Sequence, residues 1–90
     1  MTGTYPQRTT AEWLEYWKQR YANGKPGDKQ ASAAQSGRLR AIANSKGIDH
    51  WDESEALFGC DPGALCVGAS RTLADWFLDP DFKSAASKQQ

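Results

Sequence analysis

Residues 9–24 read TTAEWLEYWKQRYANG, and both ends of a helix are written in them. Thr9 stands three positions before Glu12. At that spacing each side chain satisfies a backbone N–H that the first turn leaves unpaired, the capping-box arrangement. Trp13, Leu14, Trp17 and Tyr21 fall at i, i+1, i+4 and i+8, a single stripe of a 3.6-residue period. Glu12, Glu15 and Gln19 lie off that stripe. Gly24 can take the left-handed conformation that closes a helix. The stretch predicts an amphipathic helix over 10–23, and its aromatic stripe needs a partner surface.

The remainder of the chain supplies that surface. The turn-forming GKPGDK of 24–29 comes first. Ser32 and Gln35 then repeat the capping box, and AAQSGRLRAIANSK predicts a helix over 33–46 that Gly47 closes. Leu39, Ile42 and Ala43 are its apolar face. Gly37 inside it costs about 1 kcal/mol relative to Ala, and close approach of another helix backbone would account for it. DHWDESEALF, residues 49–58, carries acids early and apolar residues late, which suits a short helix and its dipole. Asp49 or Asp52 caps that helix, at about 50–58, and Gly59 ends it. Residues 60–68 read as a loop with a helical turn after Asp61-Pro62. ASRTLADWFL predicts the last helix over 69–78, with Ala69, Leu73, Trp76 and Phe77 on one face. Asp79-Pro80 stops it and Phe82 packs back. No run has strand periodicity. The expected architecture is all-α: a small single-domain bundle of three main helices plus one short helix. It occupies 9–82, after an extended lead at 1–8 and before a disordered tail at 83–90. The expected core is Trp13, Trp17, Leu39, Ile42, Leu57, Phe58, Leu73, Trp76 and Phe77.

Ninety residues make one domain with a thin core and little room for a deep substrate pocket. Four Trp, three Tyr and three Phe compensate, since each large ring can bury about 150–250 Å². No apolar run approaches the ~18–20 residues that span a bilayer, so no membrane association is expected. Met1 to Thr10 is polar, without the apolar stretch of a secretory signal, and the expected compartment is the cytoplasm. Net charge is zero, but it is unevenly spread. From Arg8 to Lys46 there are eight Lys/Arg against three acids, a balance of +5; from Asp49 to Asp81 there are eight acids against Arg71 alone, a balance of −7. Such asymmetry suggests a basic and an acidic face, or two halves that attract each other within the fold.

Catalytic patterns are missing. Cys60 and Cys66 would need further ligands to hold zinc, and His50 and Asp61 are the only candidates near them. There is no second Cys pair and no pair of histidines. The expectation is no metal, no cofactor and no essential disulfide, with two reduced, partly buried thiols. His50 is read as exposed at a helix start. A Cys–His nucleophile pair would lack an oxyanion hole and an orienting group in any recognisable pattern. Asp52, Glu53 and Glu55 read as helix-start and surface acids, not as an acid/base pair. GKPGDK lacks the preceding strand and the Lys-Ser/Thr of a phosphate-binding loop. The chain is not expected to be an enzyme.

Two binding readings remain. Lys18, Arg20, Lys25, Lys29, Arg38, Arg40 and Lys46 could neutralise phosphates of single- or double-stranded nucleic acid, with Tyr16 or Tyr21 stacking on bases. That reading requires these cations on one surface, because the acidic half would otherwise repel the polymer. The alternative is a protein partner engaged through Asp49, Trp51, Asp52, Glu53, Glu55, Asp75 and Asp79, with Asp81 beside them. Exposed Trp51 or Tyr16 would anchor it. Self-association is a version of the same idea.

Ser32, Gln35, Arg38, Leu39, Ala41, Ile42, Ala43 and Gly47 follow a recurring pattern of a capped helix with Arg-Leu-x-Ala-Ile-Ala and a closing Gly. Phe58-Gly59 ends a second helix, and Leu73, Asp75 and Trp76 mark a third. Over 31–78, about half the chain, this resembles the small helical module at the ends of phage single-strand annealing and related recombination proteins, also found in short phage or plasmid accessory proteins. Ala34 stands where that pattern usually has Lys, the loop carries Cys60 and Cys66, and the annealing domain itself is absent. TTAEWLEYWKQRY also resembles the opening helix of the arm or core-binding domain of tyrosine recombinases, without their catalytic domain. The resemblance implies a helical accessory protein of phage or plasmid DNA metabolism, binding nucleic acid weakly. The protein-binding alternative becomes an inhibitor of a host or phage protein, such as a phage anti-defence protein.

Overall fold

In a computed structural model, which describes residues 9–24 and 29–86, the chain forms α1 (Thr10–Ala22), α2 (Ala33–Ser45), α3 (His50–Phe58) and α4 (Val67–Leu78). A 3-10 turn at Pro62–Ala64 lies between α3 and α4. Both capping boxes form: Glu12 N donates to Thr9 Oγ1 at 3.1 Å and Gln35 N to Ser32 Oγ at 3.2 Å. The reciprocal bonds to Glu12 and Gln35 are each 2.8 Å. Asp49, not Asp52, caps α3, accepting from Trp51 N at 3.0 Å and Asp52 N at 3.2 Å. Gly24, Gly47 and Gly59, which close the first three helices, all have positive φ.

Helix α4 starts at Val67, two residues before the sequence reading, and its N-cap Cys66 makes no side-chain cap bond. Tertiary groups do that work instead. Cys66 N donates to Tyr21 Oη at 2.9 Å, and Val67 N to the carbonyl of Lys29 at 2.9 Å. The extended segment 29–31 completes the splice: Ala31 N donates to Leu65 O at 3.0 Å, and Gln30 and Cys66 form an isolated antiparallel bridge. Among the described residues there is no strand beyond this bridge.

Helix α4 is the centre of the fold. Both α2 and α1 pack chiefly on it, while α3 packs on α1, α2 and the 3-10 turn. The core is Leu14, Trp17, Leu39, Ala43, Phe58, Leu65, Cys66, Ala69, Leu73, Ala74, Trp76 and Phe77, with Ile42 and Leu57 half-buried at its edge. Phe82 packs back on the rings of Trp76 and Phe77, both at 5.6 Å between centroids. Trp13, expected in the core, is 40% exposed. The α1–α4 contact closes one turn later, at Trp17, whose indole lies against Gly68. Opposite Trp13 the α4 residues are Arg71, Thr72 and Asp75, so no apolar surface covers it.

Three further readings are corrected. No group lies within 4 Å of where a Gly37 side chain would start, so Gly37 serves no close helix approach; Gly68 does. Glu53 is not a surface acid: it is 3% exposed. It accepts from Ala85 N at 2.9 Å and from the Ser84 hydroxyl, which ties residues read as disordered onto α3. His50, read as exposed, is half-buried at the first position of α3. The lead at 1–8 and the tail residues 87–90 lie outside the described residues.

Candidate functional site

The basic residues of the first half do not share one surface. Lys18 pairs with Glu15 at 3.5 Å. Arg20 donates to Tyr16 Oη at 3.1 Å and lies over the rings of Tyr16 and Trp17, at 5.8 and 5.4 Å. Lys25 lies outside the described residues, and Lys29 is exposed beside the α4 splice. Arg38 and Arg40 flank the fully buried Leu39. Two residues apart on an α-helix means about 200° of rotation, so they point to opposite flanks of α2. Arg38 lines a concavity of about 180 Å³ between α2 and α4, with Gln35, Ser70, Arg71 and Ala74. Arg40 lines a groove of about 340 Å³ between α2, α3 and the 3-10 turn. Lys46 lies in a third, beside Asp49 and Asp52 and close to Ser84.

The proposed stacking residues are engaged. Tyr21 tilts against Phe58 with centroids 5.2 Å apart, and its hydroxyl holds Cys66 N. Burial drives its pKa well above the ordinary tyrosine value, opposed by the Cys66 N–H it accepts and reinforced by the Cys66 and Cys60 thiols. Tyr16 sits edge-on to both Trp13 and Trp17, at 5.5 and 5.0 Å.

The acidic residues divide as well. Asp49 caps α3, Glu53 is buried, and Asp79 Oδ1 accepts from Asp81 N at 2.8 Å. Asp52 and Glu55 are exposed on α3, while Asp75 on α4 faces the groove beside Trp13.

Of the aromatic anchors foreseen in the sequence, Trp51 stands out at 51% exposure. It forms one wall of the α2–α3 groove, with Arg40 and His50 beside it. Ala33, Ser36 and Gly37 from α2 and Pro62 and Gly63 from the turn complete the lining. All are small or flat, and the space over Gly37 is part of the opening. The His50 pKa is lowered, first by burial and further by the Arg40 charge, against a raising effect of Asp49. The imidazole is therefore neutral at pH 7.

Cys60 and Cys66 line none of these three concavities; Cys66 is buried behind Tyr21 and Cys60 is half-buried, its carbonyl accepting from Ser54 Oγ at 2.7 Å. Among the described residues no three His, Cys, Asp or Glu side chains gather as a metal cluster would require. No helix there is long and apolar enough to cross a membrane. Arg71 is the residue the sequence reading missed. It is the lone cation of the acidic half, and only the packing of α4 beside α2 brings it to Arg38.

The described residues define a small all-α domain whose surface carries exposed tryptophans beside shallow, arginine-lined grooves. No family model, curated protein or solved structure matches the chain.

Proposed function

We propose that this is a non-enzymatic accessory protein that binds a protein partner through the α2–α3 groove, with Trp51 as anchor. The carrying observation is a half-exposed indole at the mouth of a groove shared with an arginine. Trp and Arg are the residue types that most often dominate interface energetics, and they do so beside cavities that exclude water. The neutral His50 lets the groove be desolvated without burying a second charge beside Arg40. A phage or plasmid setting rests on the resemblance of residues 31–78 alone. Nucleic-acid binding draws less support, because the cations it would use are spread over separate concavities.

A photo-crosslinking residue at Ala33, on the groove lining, tests the reading in cells that produce the protein. A discrete protein adduct is expected, lost on Trp51→Ala while the helical spectrum is unchanged. An adduct of twice the monomer mass identifies the partner as a second copy. No adduct, or one indifferent to Trp51→Ala and Arg40→Glu, sinks the proposal. Nucleic acid is examined in parallel by an oligonucleotide titration over a salt series. Affinity for a single strand falling with a log–log slope of about −0.7 per phosphate neutralised, with no protein adduct, would favour that reading instead.

A further inference from the structure

From the concavity between α2 and α4 we infer a binding site for a single phosphate group, held between Arg38 and Arg71. The two arginines come from different helices and line one opening of about 180 Å³. Among the described residues neither makes a side-chain hydrogen bond or ion pair. No carboxylate lines the opening. Arg71 also borders the neighbouring groove on the Trp13 side, where Asp75 lies one helical turn away, but no ion pair joins the two.

Two of the other three lining residues, Gln35 and Ser70, carry donors; the third is Ala74. Gln35 uses its Oε1 to accept from Ser32 N at 2.8 Å, which leaves its Nε2 hydrogens unspent by the cap. Ser70, 2% exposed, brings a hydroxyl to the same opening. Two like charges facing one space repel unless an anion lies between them. Guanidinium forks match the paired oxygens of phosphate and can each bond it bidentately. The opening is smaller than the ~300–1,000 Å³ of a drug-sized ligand pocket. It therefore takes one anionic group, with the rest of its bearer in solvent or along the surface. The site lies apart from Trp51, and either proposal can fail without the other.

The test is a titration followed by NMR of the full chain, with inorganic phosphate and pyrophosphate at low ionic strength. The side-chain Nε–H signals of Arg38 and Arg71 and the Gln35 amide should shift together and saturate. Either Arg38→Gln or Arg71→Gln should weaken binding about tenfold, the effect expected for losing one charge-assisted fork. Both side chains are exposed, so these variants keep the helical spectrum. Arg71→Lys, which keeps the charge and loses the fork, should also bind more weakly. A single-stranded oligonucleotide separates the sources. If it competes with pyrophosphate through the same two arginines, the phosphate belongs to a nucleic-acid backbone. If pyrophosphate binds and the oligonucleotide does not, the bearer is a small phosphorylated molecule. Shifts spread equally over Lys18 and Lys46, insensitivity to Arg71→Gln, or acetate bound more tightly than phosphate would each overturn the assignment.

Discussion

A methyl group at Gly68 would land inside the van der Waals envelope of Trp17 Cζ2 and 2.9 Å from Cη2. The Trp17 indole is a rigid, buried ring that packing holds in place, so Gly68→Ala should destabilise the protein by about 1–3 kcal/mol, the usual cost of overpacking. Gly37→Ala is the control. Its Cβ would meet nothing, and a helix-interior Gly→Ala without strain stabilises by about 0.4–1 kcal/mol. Urea melts of the two variants should move in opposite directions; equal shifts would mean that the α1–α4 contact is not where the indole places it. His50 sets a second residue-scale expectation. Its folded-state pKa lies below the ordinary 6.5, so the unfolded chain binds the proton more readily. Stability from this group is complete above that ordinary value and is lost as pH falls through the folded value. Melting temperature should therefore decline below about pH 6.5, and His50→Gln should remove that part of the decline. An unchanged pH profile in His50→Gln would show the imidazole to be fully solvated.

Among the elements, α4 depends most on its neighbours. Its first amides are satisfied by Tyr21 and Lys29, not by a capping side chain of its own. Tyr21→Phe keeps the ring on Phe58 and removes only the acceptor for Cys66 N. It should cost about 1–3 kcal/mol, the penalty for a buried donor left unpaired, and should speed hydrogen exchange at Cys66 before the rest of α4. The same feature explains what could be read from the residues alone. Helices α1 and α2 carry their start signals in Thr9 and Ser32, which cap as read, and α3 is capped by Asp49, one of the two candidates the residues offered. The start of α4 is legible only in three dimensions, because its caps arrive from residues 45 and 38 positions earlier, Tyr21 and Lys29. Trp13 misled for a related reason. A helical stripe shows which residues can face a partner, but not where that partner's apolar surface stops. Trp51 was legible as a candidate anchor by residue type. The pairing of Arg38 with Arg71 was not, since nothing local links a cation in α2 to one in α4.

At the scale of the whole molecule, the two best-marked helices do not stabilise each other. Helices α1 and α2 each pack chiefly on α4, seven of whose twelve residues are buried. A fragment ending at Cys66 would therefore keep two capping boxes and lose the surface both helices rest on. Isolated helices of about 13 residues are marginal in water, so circular dichroism of residues 1–66 should show mostly unfolded chain. A stable helical fragment would mean that α1, α2 and α3 form a core by themselves. The order of the elements has a consequence during synthesis. The keystone helix is made after the other three helices, and ribosomes add only about 5–20 residues per second. The aromatic stripe of α1 must wait for α4 while the residues between them are translated, and this domain closes its core only when α4 clears the exit tunnel. Chaperone capture of the nascent chain should accordingly centre on Trp13 to Tyr21 and cease once α4 has emerged.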